Sequence, residues 1–181
     1  MFAPRPSDVD RHEVILGVDP GLTRCGFAAL HARGATIDVV AMGVLTSPSD
    51  MDLAERLAML HGDFESLLKE VRPHAVAVER VFFQSNVSTA MSVAQASGVV
   101  LALAASRGIP VVQYSPSQVK SAVAGSGNAD KLAVQKMVQR RLSLSSLPEP
   151  ADASDAAAIA LCHIAASPLA TRVGAAQGVT K

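Results

Sequence analysis

Four acids of this chain stand at positions that a solvated surface does not easily explain: Asp19, Glu79, Asp152 and Asp155. Asp19 follows the apolar run Val14-Ile15-Leu16-Gly17-Val18 and precedes Pro20-Gly21, so it reads as the tip of a strand entering a tight turn. Glu79 ends Ala75-Val76-Ala77-Val78, which is apolar without alternation, as in a strand covered on both faces. Asp152 and Asp155 are three apart at the start of an Ala-rich helix and share one of its faces. Taken singly, each has an ordinary explanation as a turn residue, an Arg partner or a helix cap. Taken together they suggest a site, because ligands of open mixed sheets lie beyond the carboxyl ends of the strands. Carboxylates gathered there raise one another's pKa unless cations neutralise them. All-oxygen ligands without His or Cys favour Mg²⁺ or Mn²⁺. Two such ions roughly 3.5–4 Å apart can activate a water and stabilise the leaving oxygen of a phosphodiester.

The elements that must position these acids are legible from periodicity. Strand-like runs over 14–18, 25–30 and 36–45, the last two separated by the Arg33-Gly34 turn, predict an antiparallel meander. Leu53, Leu57, Leu60, Phe64, Leu67 and Val71 then recur at spacings of 3 and 4, the buried stripe of a helix that stops before Pro73. After the strand that ends in Glu79, a small-residue helix runs to about Arg107, Ile109 to Tyr114 forms another strand, and Ser115-Pro116 opens a short helix. Lys131 to Leu142 and Asp152 to about Ala166 complete the helices. Strands in a meander, then alternating with helices, predict an α/β fold with a mixed five-stranded sheet flanked by helices.

A chain of 181 residues with 49% apolar and 18% charged residues supplies one core, so a single domain is expected and disorder of the whole is excluded. Cys25 and Cys162 are isolated, which leaves no zinc spacing and suits a reducing, cytoplasmic setting. No apolar stretch is long enough to span a membrane. Formal net charge is zero, yet residues 80–148 hold 7 Lys/Arg against 1 Asp/Glu, while residues 1–79 hold 7 against 12. A basic middle between acidic flanks is a weak pointer to a polyanion partner.

The run Ile15-Leu16-Gly17-Val18-Asp19-Pro20-Gly21-Leu22-Thr23-Arg24-Cys25-Gly26 resembles the opening signature of the RuvC Holliday junction resolvases. Val78-Glu79-Arg80-Val81-Phe82, the stretch from Gln118-Val119-Lys120 to Gly125-Ser126-Gly127-Asn128-Ala129-Asp130-Lys131, and Ala151-Asp152-Ala153-Ser154-Asp155-Ala156 resemble the same family in the same order. The likeness covers residues 14–168, with residues 1–13 and 169–181 left as disordered ends.

This resemblance implies a ribonuclease H-like fold and a homodimer that nicks two like-polarity strands of four-way junction DNA, leaving 5′-phosphate and 3′-hydroxyl ends. It implies Asp19, Glu79, Asp152 and Asp155 as catalytic metal ligands for two Mg²⁺ ions per subunit, with Mn²⁺ able to substitute. Phe82, Arg80, Lys120, Ser126, Asn128 and Lys131 are the implied DNA contacts, Phe82 by wedging against bases. Association with the RuvA and RuvB branch-migration machinery follows from the family as well. A rival reading takes Asp19, Gly21 and Thr23 as the phosphate-binding turn of an actin-like kinase, but that architecture closes two domains over its nucleotide and 181 residues supply one. A noncatalytic junction-binding protein and a related nuclease acting on RNA are further alternatives.

Overall fold

The computed structural model describes residues 13–81 and 87–167. The expected disordered ends, except Glu13, and the expected base wedge Phe82 lie outside the described residues. Strands β1 (Glu13–Asp19), β2 (Arg24–Arg33) and β3 (Thr36–Thr46) form the predicted antiparallel meander, with Gly34 supplying the positive φ of the β2–β3 turn. Helix α1 (Leu53–Val71) buries Leu60, Phe64, Leu67, Leu68 and Val71, half-buries Leu57 and ends before Pro73, but Leu53, expected in the buried stripe, is exposed because it opens the first turn. Then come β4 (Ala75–Glu79), α2 (Val87–Ser106), β5 (Val111–Tyr114), α3 (Pro116–Ala124), α4 (Lys131–Arg141) and α5 (Ala151–Ala166). Among the described residues no helix is long and apolar enough to cross a membrane.

The five strands lie in the order β3-β2-β1-β4-β5, with β4 parallel to both β1 and β5. Residues alternate between two cores, as the twofold period of a strand requires. Ile15, Ala28, Ala75 and Ala77 face α3, α4 and α5, whereas Leu16, Val18, Val76 and Val78 face α1 and α2. Both faces of β4 are therefore covered, which is why its sequence shows no alternation.

Two boundaries differ from the sequence reading. The strand expected from Ile109 starts at Val111, because the Pro110 carbonyl still accepts from Val76 but its ring has no N–H to give. Helix α5 starts at Ala151, which puts Asp155 beyond the first turn and weakens capping as its explanation. The Ser115 prediction holds: its hydroxyl accepts from Gln118 N while the Gln118 side chain accepts from Ser115 N, a capping box on α3.

Helix α5 lies almost on the sheet backbone. A β-carbon on Gly17 would fall 2.1 Å from the Ala156 backbone oxygen and 2.7 Å from Ala160 N. Glycine in β1 opposite alanines in α5 thus lets helix and strand approach more closely than side chains would permit. That approach lowers the start of α5 onto the carboxyl end of β1.

Candidate active site

Asp19 and Glu79 end neighbouring parallel strands, one step past the paired residues Val18 and Val78. Adjacent strands run ~4.8 Å apart, so the two acids leave the sheet side by side. On the other side of β1, Asp19 is paired with Gly26 of β2, and the Asp152 backbone oxygen sits on Gly26 where a β-carbon would be. Asp155, one helical turn along α5, shares the face of Asp152. The register of three strands and one helix contact thus brings all four predicted acids to one end of the sheet.

Their electrostatics agree. Burial first, then the charges of Glu79, Asp155 and Asp152, together push the Asp19 carboxyl up to about 7, against an opposing pull from Lys131. Burial also raises Glu79, with Asp155 adding to the shift and Lys120 and Lys131 opposing it. Among the described residues Glu79 makes no ion pair with an arginine, so that ordinary explanation fails.

The two helix acids are held by cations. Arg24 donates from Nε to Asp152 Oδ2 at 2.9 Å, and its Nη2 lies 2.8 Å from the same oxygen in an ion pair. Burial alone would raise Asp152, but the Arg24 hydrogen bond, a backbone N–H and the charges of Arg24 and Lys131 outweigh it and hold the carboxyl low. Lys131 Nζ donates to Asp155 Oδ2 at 2.7 Å, and this bond holds the ammonium above its usual range. Asp130, just before it, caps α4 by accepting from Ala133 N at 2.7 Å, which fixes where Lys131 begins its reach. Among the described residues no three of His, Cys, Asp and Glu are grouped closely enough to form a ready-made metal shell.

The turn that leaves Asp19 is clamped from α1. Arg56 donates from Nε to Ser47 Oγ at 3.0 Å and from Nη2 to Thr23 Oγ1 at 2.6 Å. Ser47 in turn donates its hydroxyl to Leu22 O at 2.6 Å and its amide to Thr23 O at 3.2 Å. The 20–24 turn is thereby fixed at both its backbone and its Thr23 side chain.

Of the predicted DNA contacts, Arg80 follows Glu79 directly and is exposed, with its amide donating to Tyr114 O at 2.8 Å. Lys120 is half-buried on α3 within electrostatic reach of Glu79. Ser126 and Asn128 are exposed in the α3–α4 turn, where Ser126 Oγ accepts from Asn128 N at 3.3 Å. Sequence reasoning missed Arg24, Ser47 and Arg56; for Arg24 the signal was a lone cation in the turn after the strand-tip acid.

The family description "Crossover junction endodeoxyribonuclease RuvC" matches residues 15–163, almost the whole described fold. The chain belongs to the RuvC family. RuvC of Nocardia farcinica is 51% identical over 164 residues, which cover 90% of this chain and 87% of that protein. RuvC of Cutibacterium acnes is 44% identical over 177 residues, 97% of this chain and 90% of that one. Among solved structures, Thermus thermophilus RuvC in complex with a Holliday junction substrate superposes with a TM-score of 0.81 at 36% identity, covering 90% of this chain and 97% of that one. The yeast mitochondrial Holliday junction resolvase Ydc2 shares the fold at a TM-score of 0.64 and 15% identity, covering 95% of this chain and 86% of that one. This RuvC family member is a crossover junction endodeoxyribonuclease with the ribonuclease H-like resolvase fold that the sequence resemblance implies.

Proposed function

We propose that this RuvC family member resolves Holliday junctions by metal-dependent hydrolysis, with Asp19, Glu79, Asp152 and Asp155 as the ligands of two Mg²⁺ ions that Mn²⁺ can replace. The observation that carries this reading is the convergence of four acids at the ends of β1 and β4, close enough for three of them to raise Asp19. The donor set fits a hard divalent ion: it is all carboxylate oxygen, and Asp19 and Glu79 are charged only at a cost that a cation would remove. When bound, such ions supply Lewis-acid stabilisation of a phosphodiester and make water a better nucleophile at neutral pH.

The chain's own residues supply the rest. Asp19 and Glu79, fixed on rigid strand ends, set the floor of the site, while the start of α5 delivers Asp152 and Asp155 from above. Lys131, held charged beside Asp155, offers a cation to the scissile phosphate. Lys120 and Arg80, beside Glu79, and Ser126 and Asn128, exposed in the α3–α4 turn, bind the flanking backbone, with phosphate neutralisation providing much of the affinity. Phe82 wedges against bases at the junction centre. A homodimer places one such site on each of two like-polarity strands, so that paired nicks leave ligatable 5′-phosphate and 3′-hydroxyl ends. Delivery to junctions by RuvA and RuvB, and a cytoplasmic location, are further parts of this reading, which rest on the family likeness.

The test is a nicking assay on a synthetic four-way junction in Mg²⁺, with linear duplex as control. The wild-type chain is expected to make symmetric, ligatable nicks in the junction alone, and Asp152→Asn to bind the junction without cutting it. Full cleavage by Asp152→Asn would overturn the assignment of the acids.

A further inference from the structure

The four acids divide into two kinds. Among the described residues Asp19 and Glu79 have no ion pair, whereas Asp152 and Asp155 each hold a cation. Lys131 Nζ donates to Asp155, while Arg24 donates from Nε to Asp152 Oδ2 and holds Nη2 within ion-pair distance of the same oxygen. Asp152 Oδ2 thus carries a cation already, and a metal ion that takes this carboxylate must share it with the Arg24 charge. A guanidinium and a divalent ion on one carboxylate oxygen would also repel each other at contact distance.

The surroundings make one partner movable and the other fixed. The Arg24 side chain is 48% exposed, so its head can leave for water without a burial cost, while Asp152 is 30% exposed and rides on a helix pressed against Gly26. Only the head of Arg24 is free to move, because the turn before it is clamped by Ser47 and Arg56.

We propose that Arg24 is a positioning residue that occupies Asp152 in the metal-free protein and yields it to the entering divalent cation. The guanidinium thus acts as an internal counter-ion. It offsets the repulsion among the acids while the site is empty and keeps Asp152 at the site. This inference rests on the reading of the acids as cation ligands.

The test is calorimetric titration of the full-length, DNA-free protein with Mn²⁺, comparing wild type with Arg24→Gln, Arg24→Lys and Asp19→Asn. If Arg24 competes with the cation, Arg24→Gln binds Mn²⁺ roughly 3–10 times more tightly than wild type and Arg24→Lys falls between them. Mg²⁺ then also shifts the Arg24 Nε–H resonance of the wild type toward a solvated position. Equal or weaker Mn²⁺ binding by Arg24→Gln, or an unmoved resonance, overturns the proposal. Should the Gln variant fold poorly, Arg24→Lys decides alone: tighter Mn²⁺ binding than wild type supports the proposal, and equal or weaker binding overturns it. Asp19→Asn separates the two readings: unchanged Mn²⁺ binding in that variant overturns the acid-ligand assignment itself, whatever Arg24 does.

Discussion

A β-carbon on Gly26 would lie 2.1 Å from the backbone oxygen of Asp152, so strand β2 and the start of α5 meet with no room for a side chain between them. The obstructing atom belongs to backbone, which cannot rotate aside. Gly26→Ala must therefore lift the start of α5 and carry Asp152 and Asp155 away from Asp19. The expected cost is roughly 2–4 kcal/mol of stability. Junction cleavage is expected to fall about 100-fold or more, because a shift of ~1 Å in a positioned group has that effect. Gly17→Ala meets the helix farther along, at Ala156 and Ala160, and should destabilise similarly. Urea denaturation and nicking assays on the two variants check this; wild-type stability in Gly26→Ala would show that the contact relaxes cheaply.

Much of this site can be read from sequence because its parts lie at the ends of regular elements. Strand tips and a helix start announce Asp19, Glu79 and Asp152 through apolar runs that stop at turn residues. Contacts between elements carry no such signal. Nothing in the local sequence says that Gly17 and Gly26 are glycine to admit α5, or that Arg56, 33 positions beyond Thr23, clamps the turn after Asp19. The pairing of Arg24 with Asp152 spans 128 positions, and one sequence offers no way to join them. The basic middle of the chain was visible as a count, but only the fold shows that Lys120 and Lys131 from that segment reach Glu79 and Asp155.

The Ser47 clamp should behave as one unit. Ser47 is buried and its hydroxyl both donates to Leu22 O and accepts from Arg56. Ser47→Ala leaves a carbonyl and a guanidinium N–H short of a partner, at a cost of about 1–2 kcal/mol. Arg56→Ala breaks part of the same network, so the double variant is expected to lose less than the two single losses combined, by ~1 kcal/mol. Denaturation midpoints of the four proteins measure that coupling. Strict additivity would mean that Arg56 and Ser47 hold the turn independently.

Lys131 should matter for chemistry more than for folding. Its ion pair with Asp155 is largely solvent-exposed on the lysine side, and pairs of that kind contribute at most ~1 kcal/mol. Lys131→Met should therefore melt within a few degrees of wild type while turnover on a four-way junction drops about 10–1000-fold. Lys131→Arg, which keeps the charge, should recover part of that loss. Single-turnover rates at saturating enzyme separate this from weaker binding, and an unchanged rate in Lys131→Met would remove the residue from the reaction.

The raised carboxyl of Asp19 predicts how stability depends on pH in the metal-free protein. Folding takes this group from 3.8 to about 7, chiefly by burial and then by the neighbouring Glu79, Asp155 and Asp152 charges. Between those values the folded state binds more protons than the unfolded one, so stability falls as pH rises. The Asp19 contribution is intact below about pH 4 and spent above about pH 7. At ~1.4 kcal/mol per pKa unit, the full swing is on the order of 4 kcal/mol. Asp19→Asn has no such charge to bury, and removing it also relieves Glu79. In EDTA the variant should therefore be more stable than wild type at pH 8, with the difference shrinking steadily toward pH 4. Added Mg²⁺ should narrow the gap at pH 8, because the cation stabilises the ionised wild type and has lost a ligand in the variant. Urea denaturation across this pH range, with and without Mg²⁺, is the measurement. Parallel stability curves for the two proteins would mean that Asp19 ionises in the fold as freely as in water, and that neither burial nor the neighbouring acids act on it.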